Sequence, residues 1–303
     1  MATAQYETNS AIAPSNLTVR LLPFTFAEMQ WETEVPQEWW QYPDWLAAAY
    51  KRLRRLKVGA NLIYRRSTAS TNDDARVLAI QGAPDGLIVL ADEQTHGRGR
   101  LGRSWFAPPQ TCLLLSVLFR CSIPIARAPQ LTMLMSLATL DAVETVAGLR
   151  AELKWPNDFI LNGRKVGGIL SEVESAGQYL RWAVVGLGLN VNADFSHHPD
   201  LADSATSLKS VLGNEVNRGD LLVALVRSLS LRYSRFLKGE EPLTEWQERL
   251  GTIGRQVTVQ IGDETVCGLA DFVTAEGSLF LRLANGSRRE IFAGDVKLRE
   301  AVK

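Results

Sequence analysis

An Asn-Gly pair at 162–163, set between the segments ELKWPNDFIL and RKVGGILSEVE, constrains the chain more than any other short feature. Both residue types tolerate positive φ, so the pair closes a two-residue turn whose twist suits two antiparallel strands. Other segments extend that sheet. GLIVLAD (86–92) and TCLLLSVLF (111–119) are short, continuously apolar runs, the pattern of buried strands. A turn at Ala176-Gly177 leads into YLRWAVVGLGLNVN. Helices are predicted between these strands. One is capped by Thr71, carries Asp73 and Asp74 in its first turn and stops at Gly82. Another fills 129–147 and ends at Gly148, and two more cover 218–238 and 243–250. The order predicts an α+β (α/β) domain: a mixed β-sheet with flanking helices.

The two ends differ in texture. Residues 1–60 carry Pro14, Pro23, Pro36 and Pro43, and Trp31, Trp39, Trp40 and Trp45. One helix is predicted there, started by Pro43, with Trp45, Ala49, Leu53 and Leu56 at helical spacing. Its basic end (Lys51, Arg52, Arg54, Arg55, Lys57) is either a nucleic-acid patch or a solvated terminus that suits the helix dipole, and the second reading is favoured. From about 254, the segments VTVQI, TVCGLADFV, LFLRL and RREIF alternate with turns at Gly262-Asp263, Glu276-Gly277 and Asn285-Gly286, predicting a small β-barrel. The expected division is 1–60, 61–251 and 252–303. Lysine plus arginine and aspartate plus glutamate number 33 each, so anion binding must be local rather than a property of the whole surface. Three isolated cysteines suggest a reducing compartment, hence a cytoplasmic protein. No apolar stretch approaches the ~20 residues of a membrane span.

HGRGRLGRSWF (96–106) satisfies G-x-G-x-x-G on paper. A dinucleotide loop needs a helix directly after it, and Pro108-Pro109 block one here. The expected acid is also missing, since no Asp or Glu occurs between Glu93 and Asp141. What remains is a glycine-hinged cationic loop between two strands: a lid over a nucleotide triphosphate, or a disordered surface loop. Lys154-Trp155-Pro156-Asn157-Asp158 is either an ordinary turn or a source of the hard oxygen ligands that Mg²⁺ prefers. Lys165 heads KVGGIL, where Gly167 and Gly168 leave room beside the backbone. Gly186 and Gly188 inside GLGLN mark close approach by another group. His197-His198 is read as a solvated loop rather than a metal site, and His96 as incidental.

Together, Ser70-Thr71-Asn72, Gln94 with GRGRLGRSW (97–105), KWPND (154–158), RKVGGIL (164–170) and GLGLN (186–190) resemble the biotin protein ligase family, in that family's order and spacing. The resemblance spans roughly 67–250 and extends on weaker grounds to an SH3-like C-terminal barrel. It implies a class II aminoacyl-tRNA synthetase-like catalytic domain that activates biotin with ATP and Mg²⁺ to biotinyl-5′-AMP. Biotin is then transferred to a lysine of the biotin carboxyl carrier protein of acetyl-CoA carboxylase. Carried over by motif, Ser70, Thr71, Asn72, Gln94, Gly97, Arg98, Gly99, Arg100, Lys165 and Gly168 bind biotin. Arg98, Arg100, Arg103, Trp105, Lys154, Asn157 and Asn190 bind ATP, Asp158 takes the metal, and Lys165, Arg100 and Asp158 are catalytic. No protein nucleophile is needed, which agrees with the lack of a Ser-His-Asp or Cys-His pattern. No helix–turn–helix with a wing is legible before Ser70, so no DNA binding is expected; monomer and homodimer both stay open. Two rivals stand beside this reading: a lipoate or octanoyl ligase, and a biotin-sensing DNA-binding regulator.

Overall fold

The computed structural model describes residues 42–292 and 294–298. Its larger sheet has seven strands: β1 (Leu62–Arg65), β2 (Ile88–Ala91), β3 (Cys112–Phe119), β4 (Glu152–Lys154), β5 (Asp158–Leu161), β6 (Arg164–Ala176) and β7 (Tyr179–Asn190), in spatial order β1-β2-β3-β7-β6-β5-β4. β1 and β2 pair in parallel and the remaining neighbours are antiparallel, so the sheet is mixed. Asn162 and Gly163 take φ of 50° and 78° between β5 and β6, the geometry the Asn-Gly pair demands.

Among the described residues, seven α-helices accompany the strands: α1 (Asp44–Leu53), α2 (Thr71–Ile80), α3 (Ala128–Ala147), α4 (Pro199–Ala202), α5 (Leu208–Leu212), α6 (Arg218–Phe236) and α7 (Leu243–Glu248). One face of the central strands presents Leu113, Leu115, Val117, Val185 and Leu187 to α3 and α6, with Leu131, Leu134, Leu222 and Val226 closing the core. Each such side chain contributes about 1.5–3 kcal/mol by leaving water. On the opposite face, Leu118, Trp182 and Val184 are covered by Ala75, Leu78 and Ala79 of α2. Further along that face the residues become small or polar, and the sheet is left open as the floor of a cavity. α1 starts after Pro43 and buries Leu46, Ala49 and Leu53, while Lys51, Arg54 and Arg55 face solvent and Arg52 pairs with Asp220 at 2.8 Å. Of the reading of residues 1–60, everything before Tyr42, including three of the tryptophans and the absent helix–turn–helix, lies outside the described residues.

The C-terminal unit is a second sheet of five antiparallel strands: β8 (Gln256–Ile261), β9 (Glu264–Val273), β10 (Leu279–Arg282), β11 (Arg288–Ile291) and β12 (Asp295–Leu298), ordered β11-β10-β9-β8-β12. β12 was not among the segments legible in the sequence. Val257, Val259, Val266, Ala270, Leu279, Leu281 and Ile291 fill its interior, in one apolar cluster continuous with the larger domain. Trp155 fastens the two units together. Its side chain is fully buried, its backbone N–H donates to Thr252 Oγ1 at 3.0 Å, and its indole Nε1–H donates to the Gly277 carbonyl at 2.9 Å. One further correction concerns α2: Ser70 occupies the N-cap and Thr71 is the first helical residue. The Thr71 hydroxyl is turned away from a capping role because it bonds Gln94.

Candidate active site

The cavity floor follows from strand register. Ser116 of β3, Gly186 of β7 and Leu170 of β6 form one cross-strand row, and Leu114, Gly188, Gly168 and Asp158 form the next. The glycines leave space that two side chains fill. A Cβ built on Gly186 would overlap Asn72 Oδ1, and one on Gly188 would lie 2.6 Å from Trp105 Cε2. The close approach predicted at these glycines is therefore made by the protein itself. Polar groups are gathered above this floor. The Thr71 backbone N–H and hydroxyl both donate to Gln94 Oε1, at 2.8 and 3.1 Å. Ser116 Oγ lies 2.8 Å from Thr71 Oγ1 and 2.6 Å from Asn72 Oδ1, and Asn72 Nδ2 donates to the Leu170 carbonyl at 3.2 Å. The result is a pocket end with a few fixed donors and acceptors beside Leu170 and Leu187, which suits a neutral polar ring.

Cations occupy the other end. Segment 97–105 is a small folded tip: Gly99 N–H donates to the Arg103 carbonyl at 2.7 Å and Trp105 N–H to the Gly97 carbonyl at 2.8 Å, while Leu101 takes φ 56° and points into solvent. The tip is pinned on two sides. Arg98 donates to Asp73 and Glu172 at 2.7 and 2.9 Å, and Arg103 makes a bidentate pair with Asp295 of β12. Arg100 donates to Asn157 Oδ1 at 3.4 Å, and Asn157 Nδ2 donates in turn to the Ile169 carbonyl. Lys165 pairs with Asp158 at 2.6 Å, and its Nζ stands 5.6 Å from the centre of the Trp105 ring. Burial lowers the pKa values of Arg100 and Lys154 below their ordinary ranges, against the opposing pull of Asp158 and Asp295. Cations held partly out of water in this way favour an anion as partner.

The cavity, about 320 Å³, lies between these two groups. Of the residues picked out by motif, Ser70, Thr71, Asn72, Gln94, Arg98, Gly99, Arg100, Arg103, Trp105, Lys154, Asn157, Asp158, Lys165 and Gly168 line it. Two do not. Gly97 is buried behind the tip, where a Cβ would come within 2.7 Å of the Trp105 carbonyl. Asn190 is buried below the floor and donates to the Thr206 carbonyl at 3.0 Å. Five contributors were missed by sequence reasoning. Ser116 was the single hydroxyl in an eight-residue buried strand, a signal that was there to be read. Gly294, Asp295 and Val296 line the cavity from the C-terminal unit, and no local pattern announces them. Asp92, at the stem of the tip, accepts from Arg218 at 2.9 Å and from the Tyr64 hydroxyl at 2.6 Å. Among the described residues no three His, Cys, Asp or Glu side chains converge as a metal cluster. His198 packs on Phe106 with ring centres 4.4 Å apart, and His96 is exposed.

Residues 64–190 match the model of the Biotin/lipoate A/B protein ligase family, and 252–299 match that of the Biotin protein ligase C terminal domain. The chain is 33% identical over 259 residues to the Biotin--[acetyl-CoA-carboxylase] ligase of Mycobacterium tuberculosis, covering 81% of this chain and 94% of that protein. It is 34% identical over 244 residues to the bifunctional ligase/repressor BirA of Bacillus subtilis, covering 80% of this chain and 75% of the relative. A solved structure of the biotin protein ligase from Aquifex aeolicus in complex with biotin and ATP superposes with a TM-score of 0.65 at 26% identity, covering 80% of this chain and 99% of that one. The chain belongs to the biotin protein ligase family.

Proposed function

We propose that the protein joins biotin to a carrier in two steps: it activates biotin with ATP to biotinyl-5′-AMP, releasing pyrophosphate, and then passes the biotinyl group to one lysine of a biotin carboxyl carrier protein, that of acetyl-CoA carboxylase. The observation that carries this reading is the division of a single cavity. Fixed neutral groups (Thr71, Asn72, Gln94, with Ser116 behind them) lie at one end, and Arg100, Arg103, Lys154 and Lys165 meet at the other. A ureido ring held at the first end directs its valeryl carboxylate toward the second, where a triphosphate is also drawn. The two anions repel, and fixed cations in a site with little water offset that repulsion. A biotin carboxylate oxygen attacks the α-phosphorus and pyrophosphate leaves. The carrier amine later attacks the acyl carbon and AMP leaves. Throughout, the chain's own groups position and shield rather than react.

In this reading Lys165 and Arg100 face the forming anhydride, Arg103, Lys154 and Asn157 face the phosphates, and Trp105 forms a wall of the nucleotide side. Gly97 and Asn190 act from behind the lining. Asp158 suits Mg²⁺, which commonly binds through one carboxylate together with phosphate oxygens and water. Its Oδ1 accepts from Lys165, and Asp158 lines the cavity together with Asn157. When bound, the ion would neutralise phosphate charge. The division at residues 60 and 251 and a cytoplasmic location belong to the same proposal; the isolated cysteines support the location. The even charge balance favours a protein that does not bind DNA.

The test is incubation of the full chain with ATP, Mg²⁺, biotin and a biotin carboxyl carrier domain, read by mass spectrometry of the carrier. A gain of one biotinyl group, absent when lipoic acid replaces biotin, is expected. An unmodified carrier, or preferential lipoylation, would contradict the proposal.

A further inference from the structure

The C-terminal unit contributes a single carboxylate to the cavity among the described residues, that of Asp295. Both of its oxygens accept from the Arg103 guanidinium, Oδ1 at 3.2 Å from Nη1 and Oδ2 more closely from Nη2. The same carboxylate favours the charged forms of Arg100 and Lys154, against the burial that opposes them. One internal anion therefore serves three of the four cations on the nucleotide side. A guanidinium accepts carboxylate and phosphate oxygens in the same bidentate geometry. Polyphosphate and Asp295 must then compete for Arg103.

We propose that Asp295 is a positioning residue that sets nucleotide affinity: it holds Arg103 against β12 and gives it up to the phosphates of the bound nucleotide. The inference rests on the ligase reading of this cavity. Asp295, with 32% of its side chain exposed, lies at the cavity wall rather than in the domain core, and Trp155 joins the two units independently of it. Its charge thus has two separable effects. It fastens the 97–105 tip to the C-terminal unit, while Arg98 fastens the tip to Asp73 and Glu172. It also raises the cost of bringing another anion to the same cations. A residue that served only as a fastener would lower nucleotide affinity when removed. Removal of a competing anion would raise it.

The experiment titrates a non-hydrolysable ATP analogue with Mg²⁺ into the full chain and into Asp295→Asn, Asp295→Glu and Arg103→Gln. Asp295→Asn is expected to bind the analogue roughly three- to tenfold more tightly. Asp295→Glu keeps the charge and the wild-type affinity. In the Arg103→Gln background, Asp295→Asn is expected to gain less, because the contested cation is gone. Unchanged or weaker binding by Asp295→Asn overturns the proposal, as does a full gain without Arg103. Should Asp295→Asn not fold, Asp295→Ser removes the same charge and is read in the same way. Pyrophosphate release by the wild-type chain on mixing biotin and ATP is followed in parallel. Its absence refutes the ligase reading, whereas the analogue titration alone decides the role of Asp295.

Discussion

Gly186 shows how much one missing side chain does. Its place in β7 is an ordinary extended one, and its value lies in the space it leaves for Asn72, which then reaches Ser116 and Leu170. Gly186→Ala puts a methyl group where Asn72 Oδ1 sits. The amide must move, and the fixed polar set above the floor loses one member. We expect the biotin KM to rise about tenfold, as when one or two hydrogen bonds to a buried polar ligand are lost. The accompanying loss of stability is about 1–3 kcal/mol, as for an overpacked site. Steady-state kinetics and urea unfolding measure both, and a wild-type biotin KM would show that Asn72 does not meet the ring. At this scale the sequence was half legible. It displayed glycines in an apolar strand but not what filled their space. Ser116 was hidden because a hydroxyl in a buried strand declares a partner without naming it. Asp295 gave no sign, since its partner Arg103 lies far away in sequence and is brought to it by folding.

The element on which the mechanism turns is the tip between β2 and β3. Its glycines and arginines made it conspicuous in the sequence, and Pro108-Pro109 correctly excluded a helix after it. Its attachments were not legible, because Asp73, Glu172 and Asp295 come from α2, β6 and β12. Arg100 is left facing the cavity and Asn157. Arg100→Ala is expected to speed release of free biotinyl-AMP about tenfold or more, the loss of one charge-assisted contact of about 1.5–3 kcal/mol. Single-turnover assays that separate free from bound adenylate measure this, and unchanged retention would deny the tip its shielding role. The elements with strong local signals formed as expected: the Asn-Gly hairpin, the apolar strands and α3 with its left-handed Gly148. Those missed were short. α4 and α5 have four and five residues, and β1 and β12 have four each, β12 paired to β8 from far along the chain. Segments of that length take their structure from neighbours more than from their own pattern.

At the scale of the whole molecule, the cavity belongs to both folded units. The larger sheet supplies the floor with Lys154 and Lys165, the tip supplies Arg98, Arg100 and Arg103, and the C-terminal strands supply one wall and one anion. Trp155 links them within KWPND itself, so the turn that presents Asn157 and Asp158 is anchored in the second unit by the Gly277 carbonyl. Anchoring the turn there keeps Lys154, Asn157 and Asp158 in a fixed relation to β12, which matters because two mutually repelling reactants must be held about 3–3.5 Å apart. The most direct test of this arrangement is a crystal structure of the full chain with a non-hydrolysable biotinyl-adenylate analogue and Mg²⁺. The mechanism requires Lys165 Nζ and the Arg100 guanidinium within about 3.2 Å of the oxygens at the acyl–phosphate linkage, with the tip lying over it. A linkage that neither cation reaches, with the tip turned out to solvent, would contradict the mechanism.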